Sequence, residues 1–152
     1  MQITLAQALK EKNRIVGEVS RLWNLVQQQN SCWENRKRSI DVNATMQTIN
    51  HYTEKLIELK IKIGKANEGN LENMYALEEY KSRISKLDSI DAEEDVRYLG
   101  VNNERELIKT VIISASEIIG MQKTLQSKCN QLQDKLDEYN ATHKIEFDTP
   151  LC

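Results

Sequence analysis

The stretch from Ser114 to Asn140 constrains the fold most, because its apolar residues recur every three or four positions. This spacing is a heptad seam, typical of a helix that packs along other helices. The seam comprises Ile118, Leu125, Cys129, Leu132, Leu136 and Tyr139, with Gln122 as its polar position. Ser114 followed by Glu117 is a capping box, which predicts where the helix begins. A β-branched run precedes Ser114, so we expect a strand that leads directly into this helix.

The composition favours long amphipathic helices over a β-sandwich. Aromatic residues make up 5% of the chain and charged residues 29%, with one proline and five glycines. A sandwich would need more aromatic and β-branched residues, whereas helix interiors exclude proline and glycine. The chain of 152 residues is long enough for one domain with a core.

The charge and the cysteines indicate a cytoplasmic protein. A net charge of −2 provides no global attraction to nucleic acid or to an anionic membrane. Three cysteines without CxxC spacing suggest a reducing compartment. The first residues lack the basic start and apolar run of a signal peptide, and no stretch approaches the ~20 apolar residues of a membrane span.

Three further segments carry apolar stripes at helical spacing. The stripes are Leu5, Ala8, Ile15, Val19, Leu22 and Val26 in the first, Ile49, Tyr52, Leu56, Leu59, Ile63 and Ala66 in the second, and Leu71, Met74, Leu77, Tyr80, Ile84 and Leu87 in the third. Together with the seam they predict helices over about 4–30, 43–67, 70–89 and 115–140. Thr4 is the expected cap of the first helix, with Gln7 reaching back to it. Asn67 and Gly69 predict a left-handed cap and a short turn, after which Asn70 caps the third helix. The second and third helices are therefore expected to be antiparallel neighbours.

One segment, about 96–113, has the pattern of a β-hairpin. Its arms flank Asn102-Asn103, a turn signal, and the second arm is rich in β-branched residues. Two strands alone are marginal in water, so we expect the hairpin to pack on the bundle or to pair with another chain. In the tail, 141–152, the run from Lys144 to Phe147 is a candidate third strand at the hairpin edge.

The predicted fold is therefore mainly α. Four long helices form an antiparallel bundle or coiled coil in a single domain, 1–152, with a small β-hairpin inserted before the last helix. The seams of the second and fourth helices also align when Asn67 is placed on Asn140. This internal similarity suggests the hypothesis of two related helical hairpins, although any two heptad helices align somewhere.

Four segments in this order resemble the septicolysin-like family of small bacterial helical proteins of unknown function. They are LAQALKEKNRI, LIELKIKIGKANEGN, ELIKTVIIS and LQSKCNQLQDKLDEYNAT. The chain departs from the family pattern at two sites. At a helix end it has Gly64 and Ala66-Asn67 where the family has asparagines and threonine, and after Asn140 it has Ala141 where the family has tryptophan. The family name implies a cytolysin, and cytolysin-like activity is an alternative by that name only. No apolar hairpin in the sequence is long enough for insertion into a membrane.

No catalytic constellation is found, so the sequence predicts a protein that is not an enzyme and has no cofactor or metal. A di-iron bundle needs glutamate three residues before histidine, but Thr48 precedes His51 and Asn140 precedes His143. The acidic run 88–95 lacks the alternating ligand order of a calcium loop. Cys129 lies on the seam, where a free cysteine behaves as a small hydrophobe.

The remaining surface predicts partners. The first hypothesis is a homo-oligomeric cytoplasmic scaffold or protein-interaction module. Its expected oligomer interface comprises Val16, Trp23, Leu107, Lys109, Val111 and Ile113. The alternative is a nucleic-acid-binding helical hairpin, with stacking on an indole and phosphate contacts to a basic triplet. That site comprises Trp33, Arg36, Lys37 and Arg38. A solvated turn explains the same residues, and the acidic balance of the chain favours it.

Overall fold

The computed structural model describes residues 1–148 and shows a mainly helical protein. In chain order its elements are β1 (Gln2–Thr4), α1 (Leu5–Gln29), α2 (Val42–Asn67), α3 (Leu71–Asp88), β2 (Asp95–Leu99), β3 (Arg105–Lys109), α4 (Ala115–Thr142) and β4 (Lys144–Glu146). The strands form two antiparallel pairs, β1 with β4 and β2 with β3. The mainly α class is confirmed, as is the β-hairpin before the last helix.

The described residues divide into two compact units, and α4 contributes to both. The first unit contains Met1–Asn70 and the chain from Asp137 onward, and the second contains Leu71–Leu136. The division falls within α4 and does not decide whether the chain is one domain. The single domain over 1–152 therefore stays a prediction. Residues 149–152 of the predicted tail lie outside the described part of the chain.

In the first unit, α1 and α2 form an antiparallel pair. Near the end of α2, the Nζ atom of Lys62 lies 5.8 Å from the centre of the Phe147 ring. The backbone N–H of Phe147 in turn donates to the carbonyl of Met1, so the end of α2 lies beside the start of α1. The buried core comprises Ile3, Leu5, Ala8, Ile15, Leu22, Val26, Ile49, Tyr52, Leu59, Ile63, Ala66 and Phe147. The helix positions in this core belong to the apolar stripes that the sequence predicts.

The tail forms a sheet with the N-terminus. Ile145 of β4 lies opposite Ile3 of β1, and Phe147 follows with 1% of its surface exposed. The prediction that the run from Lys144 to Phe147 extends the β-hairpin is therefore wrong. The physical reason is burial, since pairing with β1 places Ile3 and Phe147 in the α1–α2 core.

In the second unit, α3 and α4 form another antiparallel pair. The side-chain amide of Gln122, near the start of α4, donates to Asp88 at the end of α3 at 2.6 Å. Two buried clusters join the helices: Leu77 with Cys129 and Leu136, and Leu87 with Ile118 and Leu125. These residues confirm the predicted seam of α4, and Cys129 is buried within it. Each unit thus contains one pair of antiparallel helices, and the hypothesis of a common origin stays a hypothesis.

Side-chain caps begin three of the helices. The Thr4 hydroxyl accepts from the Gln7 N–H at 3.2 Å, and the Gln7 side chain accepts from the Thr4 N–H at 2.8 Å. Ser114 and Glu117 make the same reciprocal pair, and the Ser114 N–H lowers the pKa of the Glu117 carboxyl. Both capping boxes are confirmed. The cap of α2 is Asp41, so this helix begins slightly earlier than predicted.

The predicted turn between α2 and α3 is wrong. Glu68 keeps right-handed helical dihedral angles, and residues Glu68–Asn70 form a 3₁₀ turn that leads straight into α3. The described residues therefore contain three uninterrupted helical runs, because α2 and α3 are joined without a loop. Gly69 is not the expected left-handed cap. It lies beside the Tyr139 hydroxyl, which donates to the Ala66 carbonyl at 2.6 Å.

Candidate protein-interaction surface

The β2–β3 hairpin is the most exposed regular element of the described chain. All residues of both strands are exposed. The loop between the strands contains Gly100 and Asn103 with positive φ, at 99° and 57°, which confirms the predicted turn. Strand β3 ends at Lys109, so the expected strand leading directly into α4 is wrong in detail, and residues 110–113 are irregular.

The register separates an apolar face from a charged face. Because side chains alternate along a strand, Val96 and Tyr98 share one face with their partners on β3, Ile108 and Glu106. We call this the apolar face. The opposite, charged face contains Asp95, Arg97 and Leu99 of β2 and Arg105, Leu107 and Lys109 of β3. Ile108 is 60% exposed, although an apolar face of a sheet is normally covered.

An ion pair connects β3 to the segment before β2. The Lys109 ammonium donates to Oδ2 of Asp91 at 2.5 Å. This contact lowers the pKa of the Asp91 carboxyl and raises the pKa of Lys109. Both side chains are largely exposed, so water screens the pair and its contribution to stability is small. Lys109, one of the predicted interface residues, therefore already pairs with Asp91 in the same chain.

The predicted interface residues lie in three places. Leu107 and Lys109 share the charged face of β3. Val111 is half-buried and Ile113 exposed in the irregular segment that follows. Val16 and Trp23, seven residues apart, are exposed on α1 in the first unit. The structure therefore places Leu107 with Lys109 on one face of β3, and Val16 with Trp23 on α1.

The sequence reasoning missed the residues of the apolar face as interface candidates. Val96, Tyr98 and Ile108 are all exposed large apolar side chains. The alternation of Val96 and Tyr98 with charged residues in β2 was a signal that could have found them. The prediction rests on the β-branched run around β3. It therefore names Leu107, which lies on the charged face.

The basic loop between α1 and α2 is only partly available for a ligand. Trp33 is 79% exposed, and Arg36 and Lys37 are exposed beside it. Arg38 instead donates to the carbonyls of Gln29 and Asn30 at 2.8 and 3.0 Å. These acceptors lie at the C-terminal end of α1, so Arg38 acts as a C-terminal cap. Of the predicted basic triplet, only Arg36 and Lys37 are not used to cap α1.

Within residues 1–148, no group of three or more histidine, cysteine or acidic side chains is placed to hold a metal ion. Among the helices of that same range, none combines the length and apolarity required to cross a bilayer. The predictions of a non-enzyme and of a cytoplasmic location stay predictions.

The fold and the candidate surface together define a class: a mainly helical protein with an exposed β-hairpin before its last helix. Its structure is similar to the crystal structure of a functionally unknown conserved protein from Corynebacterium diphtheriae, with a TM-score of 0.72 and 19% sequence identity. The match covers 96% of this chain and 100% of the other. At this identity the likeness concerns the fold alone.

No protein-family model and no curated protein matches the sequence. The resemblance to the septicolysin-like family therefore stays a prediction.

Proposed function

We propose that the protein is a homo-oligomeric interaction module, a cytoplasmic scaffold without enzymatic activity, that assembles through its β2–β3 hairpin. The observation that carries the proposal is the exposure of both faces of this hairpin, including the apolar face. A sheet of only two strands is marginal in water, and further strands or a packed face are needed to stabilise it. A second chain would supply further strands and apolar contacts to the exposed face.

The proposed partner is a second copy of the chain. The charged face carries both signs, since Asp95 lies opposite Lys109 and its Oδ2 atom is 3.5 Å from Nε of Arg97. Two copies therefore do not present surfaces of a single charge sign to each other. The net charge of −2 also keeps the long-range repulsion between copies small. Val16 and Trp23 on α1 remain candidates for a second contact between copies. The predicted packing of all four helices in one antiparallel bundle is part of the same proposal.

Ile108→Lys tests the hairpin interface. A lysine ammonium at position 108 should block assembly because it places a charge within the apolar surface that the assembled hairpins would share. Light scattering of wild type over a range of concentrations should give a multiple of the 17.6 kDa chain mass, and the variant should give 17.6 kDa. Ile108 is a better position than the half-buried Val111, because an exposed residue changes with little effect on folding.

Ile61→Lys on α2 is the matched control, since Ile61 is a similarly exposed isoleucine outside the hairpin. It should keep the assembled mass. A wild type that stays at the chain mass at every concentration would disprove the proposed homo-oligomer. Equal assembled masses for wild type and Ile108→Lys would disprove the role of the apolar face.

Nucleic-acid binding at the loop between α1 and α2 is the second candidate, favoured by the exposure of Trp33 beside two cations. We expect Trp33→Ala combined with Arg36→Ala and Lys37→Ala to weaken binding to single-stranded RNA. Arg38 stays intact because it caps α1. Fluorescence anisotropy at about 50 and about 200 mM salt measures the effect, because phosphate contacts weaken with salt. No binding by wild type at the lower salt concentration would eliminate this candidate.

A further inference from the structure

One backbone donor of β2 is bound by a side chain. The N–H of Val96 donates to Oδ1 of the preceding Asp95 at 2.9 Å. In a two-stranded sheet each strand has one edge without a neighbouring strand. The Asp95 carboxylate therefore supplies an acceptor of the kind that the backbone of a further strand would otherwise supply.

We infer that β2 is the edge at which two copies pair, antiparallel and centred on Val96. This inference rests on the proposed function and specifies how the copies meet. In a two-fold symmetric pair of strands one residue lies opposite its own copy. Within one chain, Nε of Arg97 lies 3.5 Å from Oδ2 of Asp95, and both side chains are exposed. With Val96 at the central position, Asp95 also lies opposite the partner's Arg97, and Arg97 lies opposite the partner's Asp95. Two opposite-charge pairs then form across the interface on the charged face.

Other symmetric registers of β2 lack this complementarity. Centring the pair on Asp95 or Arg97 places identical charges directly opposite each other, which is destabilising. Centring it on Tyr98 or Leu99 leaves the charged residues without an opposite charge across the interface. Of the residues of β2, Val96 alone gives two complementary pairs.

The edge of β3 is a poorer match to its own copy. Centring on Arg105, Glu106 or Lys109 places a charge opposite itself, and centring on Leu107 places Arg105 opposite the partner's Lys109. Centring on Ile108 forms no opposite-charge pair. The charges therefore select β2 over β3 as the self-pairing edge.

The same register also extends the apolar face. Ile108 is already the cross-strand partner of Val96 within one hairpin. Pairing Val96 with the partner's Val96 creates a row of Ile108, Val96 and the two equivalent residues of the partner across four strands. A four-stranded sheet with an apolar row on one face meets the requirement for stability that a lone hairpin does not.

Charge reversal in two separate chains tests the pairing. Arg97→Asp alone makes both facing positions acidic, and Asp95→Arg alone makes both basic, so each variant by itself should give 17.6 kDa in light scattering. An equimolar mixture restores both opposite-charge pairs and should give twice that mass. Arg105→Asp makes the same change of charge on β3 and should keep the wild-type mass. Circular dichroism checks that each chain is folded.

Cross-linking tests the register without a change of charge. In chains carrying Cys32→Ser and Cys152→Ser, Val96→Cys should form an intermolecular disulfide, because residues opposite each other lie about 5.5 Å apart between Cα atoms. Tyr98→Cys is the matched control on the same strand and face. Its two copies would lie roughly 13 Å apart, which is too far for a disulfide. The readout is the dimer band on a non-reducing gel.

The outcomes separate this inference from the proposed function. A wild type that assembles, with a mixture that stays at the chain mass or with equal cross-linking at positions 96 and 98, would overturn the β2 register alone. A wild type that is monomeric at every concentration would overturn the proposed function and this inference together. Assembly of the mixture, with a disulfide only at position 96, supports both.

Discussion

Phe147→Ala is expected to lower the free energy of unfolding by about 3–5 kcal/mol, the usual cost of removing a buried aromatic side chain. Phe147 is 1% exposed and packs in the α1–α2 core together with Ile3. Its backbone N–H also donates to the Met1 carbonyl at 2.9 Å. Removing the ring therefore leaves a cavity at the point where the tail, the N-terminus and the two helices meet.

Urea denaturation followed by circular dichroism measures this loss. Asp148→Ala is the control, since Asp148 is the next residue and pairs with the Met1 amino group, but both groups are largely exposed. Water screens that pair, so its removal should change the free energy of unfolding far less than removal of the Phe147 ring. A loss below about 1 kcal/mol for Phe147→Ala would contradict the burial of the ring.

Leu59→Ala is the second large effect, with an expected loss of about 2–5 kcal/mol. Leu59 has no exposed surface and lies in the α1–α2 core. Truncation removes the transfer free energy of the side chain and leaves a cavity that the two helices close only in part. The same urea titration measures the change, with unchanged steepness of the transition as the sign that folding stays cooperative.

Ile61→Ala, two residues along the same helix, provides the contrast. Ile61 is 53% exposed, so its truncation should change the free energy of unfolding by about 0.5 kcal/mol or less. The two positions differ by about 200° around the helix axis, which places them on opposite sides of α2. Similar losses for both variants would mean that α2 is rotated relative to α1 from the arrangement described above.

The helices were predictable because the interactions that define them are local. The seam of α4, the stripe that contains Leu59 and the caps at Thr4 and Ser114 all depend on residues three or four positions apart. The chain between α2 and α3 shows the limit of such reasoning. Gly69 is compatible with a left-handed cap and with a continuing helix, and the Tyr139 contact favours the second.

The candidate surface was predictable only as a hairpin. β-Branched residues and the turn at Asn103 indicate two strands, but not which face stays uncovered. Exposure of Val96 and Ile108 depends on where the helices pack, and that is decided by the whole fold. Arg38 is a similar case, because its carbonyl partners on α1 become visible only when the loop has folded back.

The sequence by itself determined the helical segments, their buried stripes, two of the caps and the presence of a β-hairpin, because periodicity and capping act over a few residues. Only the tertiary structure decided that β4 pairs with β1, that α2 continues into α3, and that the apolar face of the hairpin remains exposed. The physical reason is distance along the chain. Ile3 and Ile145 are 142 positions apart, and no local sequence pattern relates one to the other. Their pairing follows from the free energy of burying them with Phe147 in one core.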